Sequence, residues 1–151
     1  MRQLSFRLAT IAGLLFALIT NQHAHADERT LVEFPAPMQE HMLSNMRSHL
    51  RALDEILANL AVGNTQAAGL VAEQQLGLGS LDDHGAAHLA AMMPQPMQDI
   101  GTEMHKAASR FAQTAQDAEV EQSYAAQQKV FGALQGILVQ CNACHSGYRL
   151  R

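Results

Sequence analysis

The sequence predicts an all-α protein built as an antiparallel four-helix bundle. Its composition is rich in alanine, leucine, glutamine and methionine, and poor in valine, isoleucine and threonine, which favour strands. Apolar residues recur every three or four positions along several segments, as they do on one face of a helix. Short connections between such segments favour antiparallel neighbours. The net charge is -4 without a basic run, so a nucleic-acid partner has no electrostatic support.

The first 26 residues have the pattern of a cleaved secretory signal peptide. Arg2 and Arg7 supply positive charge, residues 8–19 form an apolar run, and residues 24–26 (A-H-A) supply a small-x-small cleavage site. An uncleaved membrane anchor is the alternative, but a membrane span needs about 20 apolar residues. We therefore expect export, followed by one mature domain of residues 27–151 without stable membrane insertion.

The first helix of the mature domain is expected from about Pro35 to Leu60. Proline is tolerated in the first turn of a helix, and Gly63 with Asn64 provides a stop. The apolar positions that we expect to face the core are Met42, Met46, His49 or Leu50, Leu53, Ile56, Leu57 and Leu60.

Three further helices complete the predicted bundle. A short helix is expected over residues 65–76, and a long one over residues 97–117, after two prolines. The last helix is expected from about Glu119 through residue 148. The apolar positions expected in the core from the two long helices are Ile100, Met104, Ala107, Ala108, Phe111, Tyr124, Val130, Phe131, Leu134, Ile137, Leu138 and Cys141.

Residues 80–93 hold two histidines at the spacing of a metal-binding pair. His84 and His88 are four residues apart, and a helix would place both on one face. Residues 86–91 have the composition of a short helix. No third ligand of obvious geometry is nearby, so a surface pair without function is the simpler interpretation. His105 is expected at the bundle surface or at the edge of a cofactor, and no role is assigned to it.

Cys141, Cys144 and His145 form a C-x-x-C-H motif near the C-terminus. Thiols three residues apart lie on one helical turn and can add to the two vinyl groups of one porphyrin. The adjacent histidine can then reach the iron. The motif therefore predicts one covalently bound haem c on the last helix.

Other uses of two cysteines fit the sequence less well. The chain has no further cysteine, so a zinc site would lack the second pair that usually completes it. A thioredoxin-like redox pair would follow a strand, and a disulfide at this spacing within a helix has poor geometry. The export signal agrees with haem attachment, because covalent attachment takes place outside the bacterial inner membrane. We therefore expect the protein in the periplasm of a Gram-negative bacterium.

The mature chain resembles the class II cytochromes c, which include the cytochromes c-prime and relatives with a methionine sixth ligand. The length, the four predicted helices and the position of the motif near the C-terminus carry the resemblance. The family sequence C-x-x-C-H-x-x-Y-R matches at Cys141, Cys144, His145, Tyr148 and Arg149. The resemblance implies that His145 is the proximal iron ligand. It also implies that Tyr148 and Arg149 lie in the haem environment.

The distal residue of this family comes from the first helix. An M-x-x-N-x-R sequence beginning at Met42 is similar to the methionine-ligated, low-spin members, which implies that Met42 is the sixth ligand. Met38 and Met46, one turn to either side, are alternatives, and His49 lies further along the helix. Ordinary core packing is the other interpretation of Met42, because methionine is an adaptable core residue.

The resemblance implies one-electron transfer to and from redox partner proteins that are met transiently. The alternative is binding of nitric oxide or carbon monoxide at a five-coordinate haem, as in the cytochromes c-prime. We do not expect an enzyme, since peroxidase chemistry usually needs an acid–base histidine above an open iron. The family also implies a homodimer formed through the first helices.

Overall fold

The computed structural model describes residues 27–151, and the expected signal peptide lies outside this range. The described chain forms the α-helices α1 (Ala36–Ala61), α2 (Thr65–Gln75), α3 (Ala86–Ala90), α4 (Gln95–Glu121) and α5 (Tyr124–Gly147). A 3-10 turn (Leu78–Ser80) lies between α2 and α3, and the short strands β1 (Thr30–Val32) and β2 (Tyr148–Leu150) flank the helices. The predicted all-α class is confirmed for this part of the chain.

The four longest helices pack side by side in the order α1, α2, α4, α5. α1 packs along α2, α2 along α4, and α4 along α5, whereas α1 and α5 approach each other little within the described residues. None of the helices in residues 27–151 is long and apolar enough to cross a membrane.

The larger apolar cluster, which we call the alanine-rich core, joins these four helices. It consists of Ala52, Ile56, Ala68, Val71, Ala72, Leu76, Met104, Ala107, Ala108, Phe111, Ala115, Ala118, Ala126, Val130, Leu134 and Ile137. Its small side chains let the helix backbones come close. A methyl group placed on Gly69 would lie 3.0 Å from Ala115 Cβ and 3.2 Å from the carbonyl oxygen of Ala112. A side chain at this position would therefore push α2 away from α4.

A second apolar cluster, the methionine-rich cluster, lies where the strands meet the starts of α1 and α4 and the end of α5. Its buried residues are Val32, Phe34, Met42, Leu89 and Met97. The partly buried side chains packed against them are Met38, Met46, Met92, Met93, Cys144, Tyr148 and Leu150.

The strands β1 and β2 pair in parallel, which the sequence did not predict. Thr30 lies opposite Tyr148, and the main-chain N–H of Arg151 donates to the carbonyl oxygen of Val32 at 3.2 Å. Because Tyr148 is extended (φ -132°, ψ 151°), α5 ends at Gly147. The prediction that the last helix continues through residue 148 is wrong, and Arg149 is not one helical turn beyond His145.

The boundary between the last two long helices also differs from the prediction. α4 continues to Glu121, and α5 begins at Tyr124 instead of near Glu119. The left-handed backbone of Gln122 (φ 45°) ends α4. The Ser123 hydroxyl oxygen then accepts a hydrogen bond from the N–H of Ala126 at 3.0 Å and caps α5.

Several large apolar residues expected in the core are exposed. Leu57 is 52% exposed, Phe131 54% and Tyr124 80%. Of the two alternatives on α1, His49 is half-buried, whereas Leu50 is 66% exposed. The physical reason is that α1 and α5 each pack extensively along only one other helix, so the buried stripe of each is narrower than its apolar pattern.

Candidate functional site

The two cysteines lie on the last turns of α5, as the motif predicts. Both are free thiols, and both are half-buried. Cys141 packs against the alanine-rich core, and Cys144 packs against the methionine-rich cluster. The two thiols therefore lie at the boundary between the alanine-rich core and the methionine-rich cluster.

Burial raises the pKa of both thiols, and for Cys144 the neighbouring Cys141 adds to the rise. The thiols are therefore protonated at neutral pH. A raised pKa is the opposite of what activates a redox cysteine or a metal thiolate. The raised pKa values therefore do not mark the pair as an activated redox dithiol.

His145 is exposed in the last turn of α5, and its surroundings come from the start of the described chain. Arg29 donates from Nη1 to the carbonyl oxygen of His145 at 3.3 Å, and Arg29 Nη2 also contacts Asp27 Oδ2 at 2.7 Å. Asp27 Oδ2 in turn lies 3.6 Å from Nε of Arg149. The hydrogen bond with Arg29 lowers the pKa of Asp27 to about 2. Two arginines thus lie near the end of α5, where a helix carries partial negative charge, and the Asp27 carboxylate between them neutralises part of their charge.

Sequence reasoning missed Asp27 and Arg29, because no local pattern links them to a motif at the other end of the chain. Tyr148 packs against the methionine-rich cluster together with Cys144, next to the C-x-x-C-H motif. Arg149 is half-buried on β2 and paired by charge with Asp27.

Three methionines of α1 lie in or against the methionine-rich cluster. Met42 is buried within it, 7% exposed, whereas Met38 and Met46 are partly buried and pack against it. Cys144 packs against the same cluster. The structure therefore brings the candidate distal residues and one of the two cysteines together.

An open cavity of about 480 Å³ lies beside this cluster, between α1 and α3. Its lining residues are Met38, His41, Gly85, Ala87, His88, Ala91 and Met92. It leaves space next to Met38, the alternative distal residue nearest the start of α1.

His84 and His88 do not lie on one helix, so they do not share a helix face. The left-handed backbone of Gly85 (φ 60°) separates His84 from α3, and His88 is exposed. His84 instead packs against His49 of α1 and His105 of α4. Of the two positions expected for His105, the bundle surface is wrong, since only 8% of this residue is exposed.

The residues at the end of α5 are of the types that covalent haem attachment requires. Two neutral thiols lie one turn apart beside an exposed imidazole, and the neighbouring cluster is apolar and rich in methionine. Because α1 and α5 make few contacts with each other, their backbones are not tightly packed in the region between them. In residues 27–151, as their side chains stand, no three His, Cys, Asp or Glu residues are arranged to hold a single metal ion.

The comparisons with known proteins provide no relative. No protein-family model matches the chain, and neither the curated proteins nor the solved structures include a match. The functional argument therefore depends on the residues themselves.

Proposed function

We propose that the protein is a periplasmic c-type cytochrome of the class II kind, a four-helix bundle that transfers single electrons. The observation that carries the proposal is the C-x-x-C-H motif on α5, with both thiols half-buried against the two apolar clusters. Cys141 and Cys144 would hold one haem covalently, and His145 would bind the iron. When bound, the haem supplies reversible one-electron oxidation and reduction of its iron.

Met42 is the distal ligand in this proposal. Its burial in the methionine-rich cluster, against which Cys144 also packs, supports this assignment over Met38 and Met46. A thioether ligand favours reduced iron and raises the reduction potential. The apolar cluster around it excludes water and acts in the same direction.

The first test is the optical spectrum of the haem-loaded protein, oxidised and reduced, with and without nitric oxide. Low-spin bands with a weak far-red sulfur-to-iron band, unchanged by the gas, are expected for a carrier with methionine ligation. High-spin bands that shift when nitric oxide is added would replace the carrier proposal by gas binding at a five-coordinate haem.

Matched methionine variants assign the distal ligand. Met42→Leu is expected to convert the iron from low spin to high spin, because leucine fills the same space and has no sulfur. Met38→Leu and Met46→Leu are the controls and are expected to keep the low-spin spectrum. Conversion in either control, with Met42→Leu unchanged, would move the ligand by one helical turn.

A homodimer formed through α1 is part of the proposal. Leu43, Leu50 and Leu57 are exposed on α1 and spaced seven residues apart, which is the spacing of a seam between two helices. Leu50→Lys is expected to yield a monomer in light scattering, whereas Leu70→Lys, at an exposed position on α2, should leave the mass unchanged. A parent protein that is monomeric at about 100 μM would reject the dimer, because a specific dimer would have a dissociation constant well below that concentration.

A further inference from the structure

Three histidine side chains from distant parts of the chain meet in one group, which we call the histidine cluster. His49 comes from α1, His84 from the segment before α3, and His105 from α4. Their ring centroids are 4.8 Å apart for His49 and His84, 5.5 Å for His84 and His105, and 6.0 Å for His49 and His105. The proposed role of α5 as haem carrier uses none of them.

Hydrogen bonds fix the tautomers of two members. His105 Nδ1 lies 2.8 Å from the carbonyl oxygen of Leu76 and must donate to it, since a carbonyl only accepts. The Ser80 hydroxyl donates to the carbonyl oxygen of Gly77 at 2.7 Å, so the contact of 3.4 Å with His84 Nδ1 has the histidine as donor. Both rings then carry their proton on Nδ1 and keep a free lone pair on Nε2. Metal-binding histidines are held in the same way by an oxygen acceptor behind the ring.

The cluster is uncharged at neutral pH. Burial, with smaller contributions from the neighbouring His84, His105 and His145, lowers the pKa of His49 to about 3. Burial also lowers the pKa of His84 and of His105. The His49 Nε2 atom is buried and has no hydrogen-bond partner among the described residues. Neutral imidazoles with free Nε2 atoms are the form that binds metal ions.

The segment that carries His84 is fixed to α1. His41 Nε2 and Asn45 Nδ2 each donate to the carbonyl oxygen of His84 at 2.8 Å. Gly85 follows with a left-handed backbone, and a methyl group at this position would lie 3.1 Å from His41 Nε2. The two hydrogen bonds use both lone pairs of this carbonyl oxygen and hold His84 beside His49.

We propose that the histidine cluster binds one transition-metal ion of the zinc type, separately from the haem. Three imidazoles on one tetrahedral ion have Zn–N distances of about 2.0–2.1 Å, which places their ring centroids roughly 5 Å apart. The observed separations of 4.8 to 6.0 Å are close to this spacing. The ring centres are thus already near this spacing. The nitrogens do not yet converge on one point, so the rings would have to turn on binding, within the limits that the Nδ1 hydrogen bonds of His84 and His105 set. Water would complete the tetrahedron.

The test uses the haem-loaded mature protein, freed of metal ions by a chelator and titrated with zinc chloride in a calorimeter. One zinc ion per chain is expected. His49→Gln, His84→Gln and His105→Gln should each weaken binding by more than about 100-fold, since loss of a direct ligand exceeds the roughly 10–100-fold loss typical of residues that only support a ligand. His88→Gln, at an exposed position nearby, is the matched control and should bind zinc like the parent.

The proposal is overturned if the parent takes up no stoichiometric zinc, or if each of the three cluster variants binds zinc like the parent. A change in the haem spectrum of His49→Gln would also overturn it, because His49 would then be an iron ligand. X-ray absorption of the zinc-loaded parent does not depend on the folding of any variant. It should show about three imidazole nitrogens around the zinc, and a shell of oxygens alone would count against the cluster.

Discussion

The two apolar clusters of this protein are built from different residues, and the difference has a physical meaning. The alanine-rich core is formed by small side chains around a few large ones, such as Phe111 and Ile56, neither of which is exposed at all. The methionine-rich cluster is formed by long, unbranched side chains, several of them only partly buried. Small residues fix the distance between helix backbones, whereas methionines adapt to the shape of a neighbour. One cluster therefore sets the helix arrangement, and the other is suited to receive a large apolar group.

Phe111→Ala should produce the largest loss of stability, because it removes a fully buried ring from the alanine-rich core. We expect a decrease of about 3–5 kcal/mol in the free energy of unfolding, measured with urea. Phe131→Ala, at a position that is 54% exposed, is the control and should cost less than about 1 kcal/mol. Equal losses of unfolding free energy in the two variants would show that burial of Phe111 in the alanine-rich core does not stabilise the fold more than the exposed Phe131 does.

Gly69→Leu tests the close approach of α2 and α4. The new side chain would meet Ala115 and the backbone of Ala112, so we expect a loss of about 1–3 kcal/mol by overpacking. Gly101 is also helical, but a methyl group placed there would have no neighbouring atom within 4 Å. Gly101→Leu should therefore raise stability by about 0.5–1 kcal/mol, since glycine is a poor helix former. Thermal unfolding of both variants measures the difference, and a stabilising Gly69→Leu would contradict the tight packing.

Met97→Leu should have the smallest effect of the three core changes. Met97 is 5% exposed in the methionine-rich cluster, and neighbouring methionines can adjust to a residue of similar volume. We expect a loss below about 1.5 kcal/mol. Ile137→Met, the matched change in the alanine-rich core, should cost more, because the surroundings of Ile137 cannot adapt. If Met97→Leu cost more unfolding free energy in urea than Ile137→Met, the methionine-rich cluster would not be the more adaptable of the two.

The helices and the C-x-x-C-H motif could be predicted from the sequence because both are local patterns. The start of α1 after Pro35 and the stop at Gly63 follow from residues close by in the chain. The exposure of Leu57 and Phe131 could not be predicted, because an apolar pattern does not tell how many helices surround it. The histidine cluster was missed for a similar reason. Its members are far apart in sequence, and the four-residue spacing drew attention to His84 and His88 instead.

The pairing of β1 with β2 has a consequence for the order in which parts of the chain can fold. Among the described residues β1 precedes all of the helices in sequence, whereas its partner, Tyr148–Leu150, follows them. A ladder of three residues does not hold without surrounding packing. This end of the molecule, next to Cys141 and Cys144, therefore closes only when the two ends of the described chain come together against the packed helices.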